Sequence, residues 1–432
     1  MATLLDDLAW RGLLYQRTAE EPLDVHLSTP GRVGYCGFDP TADSLTIGNL
    51  VPITLLVHWQ RAGHKPLVLM GGGTGLIGDP SGKDRERPLL DRERVEANIA
   101  RQRVVFEKLL DFDPKAPNGA EIVNNATWLE RIGYLEFLRE VGKHFSVNAM
   151  IQKESVRERL ARPDQGISYT EFSYMLLQAY DYLHLRRTRQ CTVQMAGSDQ
   201  YGNITAGIDL IHRAMGSDVE AYGFTAPLVT HADGRKIGKS EGGSIWLSAD
   251  RTSPYAFYQF WINVPDADVA SFLRMFTLLD REEIVALEAE HAAAPERRVA
   301  QRALATHMTD RLHGKSERLR VEAASALLFD GGALDALDER TLREMADELP
   351  SSEHSAALLS GEGVPLSELL AETPLASSRR EAREFLKNGA ISVNGRRVGE
   401  GCRISERDVL PGGVLFLRRG KKHWHVARWV RE

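Results

Sequence analysis

Cysteine is scarce in this chain: its 432 residues include only three, Cys36, Cys191 and Cys402. An odd number of widely separated thiols excludes a disulfide framework, and none of the three belongs to the Cys-x-x-Cys pair of a zinc site. The thirteen histidines show no paired ligand spacing either. We therefore expect no structural metal.

Long apolar runs are missing as well. The apolar run Leu50–Val57 is far shorter than the roughly 18 residues that a membrane-spanning helix needs. Residues Met1–Tyr15 carry Asp6 and Asp7 and lack the basic start and small-residue cleavage site of a secretion signal, so they fit a surface helix. We expect no membrane segment and a cytoplasmic location.

The net charge of −6 is distributed unevenly. Residues 376–432 contain fourteen Lys or Arg against six Asp or Glu, a local charge of +8, so residues 1–375 carry −14. An acidic body joined to a basic terminal module is the pattern expected when only that module binds a phosphate backbone. The C-terminal segment is therefore predicted to bind nucleic acid.

The order of the predicted elements indicates an α/β fold in more than one domain. A strand over Gly34–Phe38, a helix over Gly48–Ala62 and a strand over Pro66–Met70 form a βαβ unit. Residues 253–320 are helical in composition. Residues 329–365 are acidic and rich in glycine and serine, which predicts a partly ordered linker.

Two loops follow the carboxyl ends of these strands, where parallel-sheet proteins bind ligands. Asp39–Asn49 leads into a helix whose unpaired N–H groups and dipole suit a phosphate, although ordinary helix capping gives a similar pattern. Gly71–Arg87 begins with five glycines in eight residues, so we expect neighbouring groups to pack closely against its backbone. It lacks the spacing of a P-loop, and a plain strand-to-helix turn is its alternative.

A third loop, His231–Gly243, combines Arg235, Lys236 and Lys239 with glycines on both sides. Such a loop can close over a polyphosphate and open again, and a solvated basic turn is the alternative. The first and third loops therefore both offer groups that suit phosphate.

The chain resembles the class I aminoacyl-tRNA synthetases, the tyrosyl branch in particular. Five ordered motifs carry this resemblance: Tyr35–Leu45, Gly75–Gly82, Gln178–Asp181, Gly197–Gln200 and Lys236–Ser240. The resemblance implies that tyrosine is activated with ATP, whose phosphates carry Mg²⁺, and is then transferred to the terminal adenosine of its tRNA. It also implies a homodimer, with Gly142–Tyr169 near the interface.

The same resemblance implies a domain plan. The expected order is a Rossmann-like parallel-sheet catalytic domain over residues 1–247, an α-helical domain over 248–330, a linker over 331–364 and a small α+β RNA-binding domain over 365–432.

Each residue that matches the family's motifs receives an implied role. For tyrosine, the phenol is expected to contact Tyr35 and Asp181, the α-ammonium group Asp79, Tyr174 and Gln178, and the carboxylate Asn124 and Gln200. For ATP, the adenosine is expected near Cys36, Gly37, Asp39, Gly48, Asn49, Gly197 and Asp199, and the phosphates near Thr41, Thr46, Lys83, Arg87, Lys236, Lys239 and Ser240. Ordinary alternatives exist, such as Tyr35 as a core aromatic and Asp181 as an exposed helix acid.

Thr46 and Asn49 depart from the family pattern, because they stand where the two histidines of a His-Ile-Gly-His motif are expected. Asn49 can still donate to a ribose oxygen, whereas Thr46 replaces an imidazole with a shorter hydroxyl. Thr-x-Gly-Asn resembles the related tryptophanyl enzymes. Tryptophan activation is therefore one alternative, opposed by Tyr35 and Asp181, and an RNA-binding relative without aminoacylation is another.

Residues Ser377–Gly395 resemble the small RNA-binding domain shared with ribosomal protein S-four. Asn394–Gly395 marks a hairpin turn within it. Cations recur at roughly helical spacing just before this turn, and the candidates for RNA contact are Arg379, Arg380, Arg383 and Lys387. A solvated helix face is the alternative, which the local charge of +8 disfavours.

Overall fold

The computed structural model describes residues 3–79, 89–153, 156–157, 160, 166–235, 237–240 and 243–431. The chain forms two compact units, the first from residues 1–251 with 264–307 and the second from residues 252–263 with 308–432. The predicted catalytic loops belong to the first unit, and the predicted RNA-binding helix belongs to the second.

The strands of a mainly parallel sheet form the centre of the first unit. They are β1 (Gln16–Arg17), β2 (Val33–Phe38), β3 (Lys65–Met70), β4 (Glu121–Asn124), β5 (Cys191–Gly197) and β6 (Tyr222–Ala226), with β7 (Lys239–Ser240) and β8 (Gly243–Ser244) forming a separate pair. The six-stranded sheet has the order β1-β6-β5-β2-β3-β4, in which only β1 is antiparallel to its neighbour. Every residue from Pro66 to Met70 is buried, as expected for a central parallel strand.

Helices precede, connect and follow these strands along the chain. They are α1 (Leu4–Trp10), α2 (Glu20–Leu27), α3 (Ile47–Arg61), α4 (Arg92–Leu109), α5 (Ala126–Leu129), α6 (Tyr134–Glu140), α7 (Val147–Ile151), α8 (Tyr169–Arg189), α9 (Tyr201–Met215), α10 (Pro254–Ile262), α11 (Asp266–Phe276), α12 (Arg281–Ala293) and α13 (Val299–His313). Trp59 of α3 is fully buried against β2, where a Cβ on Gly34 would lie 2.7 Å from the indole. This close packing requires glycine beside Tyr35.

A second sheet lies at the centre of the second unit. Its helices and strands are α14 (Lys315–Ala326), α15 (Glu339–Asp347), β9 (Ser351–Ser355), β10 (Val364–Pro365), α16 (Leu366–Ala371), α17 (Arg379–Lys387), β11 (Ile391–Val393), β12 (Arg396–Arg397), β13 (Arg403–Ile404), β14 (Val414–Arg419) and β15 (His423–Val430). The sheet order is β12-β11-β14-β15-β9. The β11–β12 hairpin turns at Asn394 and Gly395, whose φ angles are 47° and 83°, so the predicted hairpin is confirmed.

Residues 331–364 differ from the expected linker. They contain α15 and β9, and β9 pairs in parallel with β15. The Ser-Ser-Glu-His-Ser sequence of β9 lacks hydrophobic alternation, so only pairing with an existing sheet edge makes it a strand.

The expected helical segment 248–330 is divided, because α10 belongs to the second unit whereas α11 and α12 belong to the first. The boundaries of the four predicted domains stay a prediction.

The predicted fold class is confirmed. The expected βαβ unit corresponds to β2, α3 and β3, each within one residue of its predicted bounds. A parallel sheet, further helices and a small α+β module follow one another as expected. Within the described ranges, no helix has both the length and the apolar character that crossing a membrane requires.

Candidate active site

The candidate site lies where the strand order of the first sheet reverses. β3 lies on one side of β2 and β5 on the other, so the loops that leave the carboxyl ends of β2 and β5 diverge and open a crevice. The loops after β2, β3, β4 and β5 supply Asp39, Thr74, Asn125 and Asp199, and α8 adds Asp181. Residues far apart in sequence therefore meet in one place.

Asp181 is the most deeply buried acid of this site, with 1% of its surface exposed. Its two carboxylate oxygens accept hydrogen bonds from Trp128 Nε1 at 2.7 Å and from Asn125 Nδ2 at 2.9 Å. Burial raises the pKa of Asp181 to about 7, and the two hydrogen bonds oppose that rise. The alternative of an exposed helix acid is therefore excluded.

Tyr35 lies in β2, fully buried, with its ring 5.4 Å from that of Tyr182. Its hydroxyl has no hydrogen-bond partner among the described residues. Burial and the nearby charge of Asp181 raise the pKa of Tyr35 well above its ordinary value, so the hydroxyl keeps its proton. A buried hydroxyl without a partner indicates a place for a polar ligand atom.

A chain of hydrogen bonds joins Asp181 to the loop after β2. Asn125 Nδ2 also donates to Thr74 Oγ1 at 3.0 Å, and the Thr74 hydroxyl donates to Asp39 Oδ1 at 2.7 Å. The Tyr174 hydroxyl donates to Asp39 Oδ2 at 2.8 Å. Asp39, expected beside adenosine, is therefore bonded to Tyr174, which is expected beside the ammonium group.

Gln200 connects two further carboxylates at the edge of the crevice. Its Nε2 donates to Asp79 Oδ2 at 2.8 Å and to Asp199 Oδ2 at 3.1 Å. Its Oε1 accepts from Asn203 Nδ2 at 2.9 Å, which also donates to Gln178 Oε1 at 3.0 Å. The amides hold the carboxylates side by side, an arrangement that suits a cationic ligand.

The glycine-rich loop packs closely against the site, as its composition predicts. A Cβ on Gly71 would lie 2.0 Å from Asp39 Oδ1, and a Cβ on Gly72 would lie 2.2 Å from Asn124 Oδ1. Any larger side chain would displace these two polar groups. The glycines therefore make room for Asp39 and Asn124.

Thr46 and Asn49 contact each other at the start of α3. Asn49 Oδ1 accepts from the backbone N–H and from the hydroxyl of Thr46, both at 3.0 Å. The pair thus caps the helix. Neither bond uses the two hydrogens on Asn49 Nδ2, which can donate to a ligand.

The loop of the Lys-x-Gly-Lys-Ser motif lies beside the same helix start. A Cβ on Gly238 would lie 3.2 Å from Ile47 Cβ. The Ile47 N–H donates to the Ile245 carbonyl at 3.2 Å, and the Leu247 N–H donates to the Leu45 carbonyl at 2.8 Å. The first and third candidate loops are therefore neighbours in space.

Most of the predicted site residues lie on these elements. The crevice loops, β2, α3 and α8 carry Tyr35, Cys36, Gly37, Asp39, Thr41, Thr46, Gly48, Asn49, Asp79, Asn124, Tyr174, Gln178, Asp181, Gly197, Asp199 and Gln200. Lys83, Arg87 and Lys236 lie outside the described residues, and Lys239 and Ser240 are described only by their place in β7. The individual roles stay predictions.

Four residues of the hydrogen-bond network escaped prediction from the sequence: Thr74, Asn125, Trp128 and Asn203. Thr74 and Asn125 follow the carboxyl ends of β3 and β4, so their position relative to the strands was a usable signal. Asn203 lies three residues beyond Gln200, so its closeness to the Gly197–Gln200 motif was also a usable signal. Trp128 offers no such signal, because only the tertiary fold brings it to Asp181.

The predicted RNA-binding residues lie on α17, which begins at Arg379 and ends at Lys387. Ala382 and Leu386 are buried on one face of this helix. The exposed residues include all four candidates, Arg379, Arg380, Arg383 and Lys387. Arg379 is paired with Glu368 at 3.1 Å.

Comparison with known families gives two matches. Residues 31–330 match the family described as tRNA synthetases class I (W and Y). Residues 341–427 match the family described as tyrosine--tRNA ligase SYY-like C-terminal domain. The second match includes part of the segment expected to be a linker, in agreement with its helix and strand.

Individual relatives match along the full length. A tyrosine--tRNA ligase of Opitutus terrae is 49% identical over 429 residues, covering 99% of this chain and 100% of the relative. One of Roseiflexus castenholzii is 47% identical over 431 residues, covering 100% of both. The structure of a C-terminally truncated Aspergillus nidulans mitochondrial tyrosyl-tRNA synthetase superimposes with a TM-score of 0.69 at 30% identity, covering 76% of this chain and 95% of that one.

The raised pKa of Asp181 predicts a specific pH dependence of stability. The folded chain keeps the Asp181 proton up to about pH 7, whereas the unfolded chain releases it near the ordinary value of 3.8. Stability therefore falls as the pH rises through this window, by at most about 1.4 kcal/mol per pH unit, and levels off above it. Asp181→Asn removes this term, so its free energy of unfolding should rise relative to the parent between pH 5 and 7.

Urea unfolding at pH 5, 6, 7 and 8, followed by tryptophan fluorescence, measures both proteins. A difference between them that stays constant over this range would show that Asp181 loses its proton at the same pH in both states.

Proposed function

The chain belongs to the tyrosyl-tRNA synthetases of class I, and from this premise we propose how its residues select tyrosine, activate it with ATP and bind tRNA. Its activity is that of a tyrosine–tRNA ligase. The observation that carries the assignment of the tyrosine site is the buried, unpaired hydroxyl of Tyr35 beside the carboxylate of Asp181.

The phenol hydroxyl of the substrate can form hydrogen bonds with both Tyr35 and Asp181. Its hydroxyl donates to the Asp181 carboxylate and accepts from the Tyr35 hydroxyl, so both protein groups gain a partner. Phenylalanine leaves the Tyr35 hydroxyl without a partner and denies Asp181 a third donor in a site that excludes water, which costs far more than the loss of one exposed contact. Tyrosyl-tRNA synthetases are themselves the established example of this kind of discrimination, about 10⁵-fold against phenylalanine.

The rest of the amino acid lies across the hydrogen-bonded network. Asp79, Tyr174 and Gln178 hold the α-ammonium group, supported by the Gln200 and Asn203 amides that fix Asp79 and Gln178. The carboxylate then points toward Asn124 and the nucleotide. The amino acid is thereby oriented at both ends before ATP reacts with it.

The first reaction needs no acid or base, because the carboxylate of tyrosine is already ionised at neutral pH. It attacks the α-phosphorus of ATP in line and expels pyrophosphate, forming tyrosyl adenylate. Orientation and stabilisation of the phosphate charge supply the catalysis. In the second reaction, the 2′-hydroxyl of the terminal adenosine of tRNA attacks the adenylate and releases AMP.

Adenosine and phosphates occupy the remaining loops. Cys36, Gly37, Asp39, Gly48, Asn49, Gly197 and Asp199 surround adenosine, and Thr41, Thr46, Lys83, Arg87, Lys236, Lys239 and Ser240 surround the phosphates. Within the described part of the chain, no group of three or more His, Cys, Asp or Glu could hold a metal ion. Mg²⁺ coordinates phosphate oxygens, and we assign it to the ATP phosphates, with which it enters as part of the substrate.

Tryptophan activation was the alternative suggested by Thr46 and Asn49. The full-length tyrosine--tRNA ligases at 47–49% identity and the tyrosine-ligase type of C-terminal domain place the chain in the tyrosyl branch. The same findings exclude a mere RNA-binding relative as the family of this chain. Thr46 and Asn49 retain a hydroxyl and an amide that can bond ATP oxygens.

A homodimer is supported by an exposed apolar patch. Tyr134, Leu135, Val147 and Tyr169 are 62%, 80%, 58% and 64% exposed, and the hydroxyls of Tyr134 and Tyr169 lie 3.3 Å apart. Apolar side chains grouped in this way mark protein interfaces. A second copy of the chain is the occupant we assign, since the expected interface of the family, Gly142–Tyr169, includes Val147 and Tyr169.

The basic face of α17 is the surface that we assign to tRNA. No described ion pair includes Arg380, Arg383 or Lys387, so all three can meet phosphates. A cytoplasmic location completes the proposal, because tRNA charging needs tRNA and ATP together.

Substitution of the two phenol-binding groups should weaken tyrosine selectivity. Tyr35→Phe loses a bond between neutral groups and should lower the preference for tyrosine over phenylalanine about fivefold. Asp181→Asn loses a bond to a charged group and should lower it about 10²-fold. Tyrosine-, phenylalanine- and tryptophan-dependent exchange of pyrophosphate into ATP measures kcat/KM for each amino acid.

Tyr182→Phe is the matched control for this experiment. Tyr182 packs against Tyr35, but its hydroxyl shares its one proton between the backbone carbonyls of Thr192 and Tyr222, each 2.7 Å away, so this variant should lose stability and keep its selectivity. Unchanged selectivity in both Tyr35→Phe and Asp181→Asn would remove these residues from the phenol site. Exchange with tryptophan alone would overturn the function.

Removal of the unpaired cations of α17 should impair tRNA charging alone. The variant with Arg380, Arg383 and Lys387 all changed to Ala should raise the KM for tRNA at least tenfold and reduce the slope of log affinity against log salt by about 2–3. Pyrophosphate exchange should stay within twofold of the parent. Glu384→Ala, on the same helix, is the control and should not weaken tRNA binding. An unchanged KM for tRNA in the triple variant would show that this face does not bind it.

A charge in the apolar patch should dissociate the dimer. Leu135→Asp replaces an 80% exposed leucine of the proposed interface with a carboxylate and should give a monomer in sedimentation velocity at concentrations where the parent is dimeric. Val285→Asp changes a residue that is 50% exposed on α12 and should leave the dimer intact. A Leu135→Asp variant that still sediments as a dimer would place the interface elsewhere.

A further inference from the structure

A carboxylate outside the site binds the first residues of the loop that carries Lys236 and Lys239. Asp268, in the first turn of α11, accepts a hydrogen bond from the Ala232 N–H at 2.8 Å and lies 2.7 Å from His231 Nδ1. The side chain of Asp268 is 5% exposed and that of His231 is 14% exposed. Solvent therefore screens this pair much less than it screens a surface ion pair.

The residues that follow form a closed turn. The His231 N–H donates to the Arg235 carbonyl and the Gly234 N–H donates to the His231 carbonyl, both at 2.8 Å. The Asp233 carboxylate accepts from the backbone N–H of Arg235 at 3.0 Å and from its Nε at 2.7 Å. The positive φ of Gly234, 84°, completes the turn. Residues 231–235 are thus one hydrogen-bonded turn, which Asp268 joins to α11.

The other arm of the loop is held by main-chain bonds. The Ile245 N–H donates to the Gly238 carbonyl at 2.9 Å, and the Leu247 N–H donates to the Leu45 carbonyl at 2.8 Å. The Arg251 guanidinium donates to Asp43 Oδ1 at 2.9 Å. This arm is therefore fixed to the loop that leads into α3, and side-chain anchoring by Asp268 is confined to the first arm.

We propose that Asp268 is a positioning residue for adenylate formation. By fixing the 231–235 turn on α11, it holds the start of the segment to which the proposed phosphate-binding lysines, Lys236 and Lys239, belong. Asp268 itself contacts neither substrate and acts through the Ala232 backbone and the His231 ring. The inference rests on the proposed role of the two lysines, because cations stabilise a transition state only when they are held in place beforehand.

The test compares Asp268→Ala, Asp268→Asn and a control on the same helix turn. Asp266→Asn is matched: Asp266 also lies in the first turn of α11, accepts from Gln301 Nε2 at 2.6 Å and lies 3.3 Å from His291 Nε2. The Asp266→Asn variant removes a negative charge from the same helix end and a contact to a histidine, but it removes no contact to the 231–235 turn. Asp268→Asn keeps an oxygen that can accept from the Ala232 N–H. This variant should therefore fold even if Asp268→Ala does not, and the comparison can then be made with it.

Asp268→Ala should lower kcat/KM for ATP in pyrophosphate exchange by about 10- to 100-fold, Asp268→Asn by less, and Asp266→Asn by no more than twofold. The dissociation constant for tyrosine, from equilibrium dialysis, should stay within twofold in all three. Trypsin cleavage after Arg235, whose side chain is 73% exposed, should be faster in Asp268→Ala than in the parent and in Asp266→Asn.

Three outcomes would overturn the proposal: parental exchange in Asp268→Ala, an equal loss in Asp266→Asn, or a weakening of tyrosine binding as large as the loss for ATP. Lys239→Ala, measured in parallel, distinguishes the role of the loop lysines from the anchoring of the turn by Asp268. Unchanged exchange in Lys239→Ala would refute the role of the loop lysines, while tryptic cleavage would still report whether Asp268 anchors the turn. If pyrophosphate exchange is slow in Lys239→Ala but parental in Asp268→Ala, only the positioning role of Asp268 is refuted.

Discussion

Two hydrogen bonds, from the Asn125 amide and the Trp128 indole, hold the Asp181 carboxylate where almost no water reaches it. A buried carboxylate without such donors would cost several kcal/mol. The donors come from the end of β4 and from α5, whereas Asp181 comes from α8, so one interaction joins three elements around the crevice. Asn125 and Thr74 extend it to Asp39 and the loop after β2. Loss of any member would remove a hydrogen bond from each of its neighbours in the network.

The two halves of the site use different physics. The proposed phenol end consists of two buried groups, Tyr35 and Asp181, whose value depends on the absence of water. The proposed phosphate end consists of loops and helix starts, where Thr46 and Asn49 cap α3. Selection of the amino acid needs a rigid, desolvated pocket. Handling of ATP needs charges that meet the phosphates in the right place, which explains the absence of an acid–base pair from the motifs.

The sequence was most informative where chemistry and local pattern coincide. The β2–α3–β3 unit follows from apolar runs and turn residues, and the motif residues Tyr35, Asp39 and Asp181 were all identified before the fold was known. The strand β9 was not, because Ser351–Ser355 has neither apolar alternation nor β-branched residues and becomes a strand only through pairing with β15. Trp128 was missed for the same reason, because its role depends on a partner 53 residues away, Asp181.

Asp268 could not be identified from sequence motifs. It belongs to no motif of the catalytic loops and lies some thirty residues beyond the lysines of the loop that it anchors, on α11. Only the fold places it against Ala232 and His231. Sequence patterns therefore identify the groups that act on the substrates, and the structure identifies the groups that hold them.

A buried hydroxyl without a partner, such as that of Tyr35, costs the folded chain roughly 1–3 kcal/mol. Free tyrosine removes this cost when it binds, and any ligand that binds only the folded state also stabilises that state by mass action. With the phenol site as proposed, the folded population of the enzyme would rise with the concentration of tyrosine. Scarcity of tyrosine would then remove the substrate and part of the resistance to unfolding and proteolysis together.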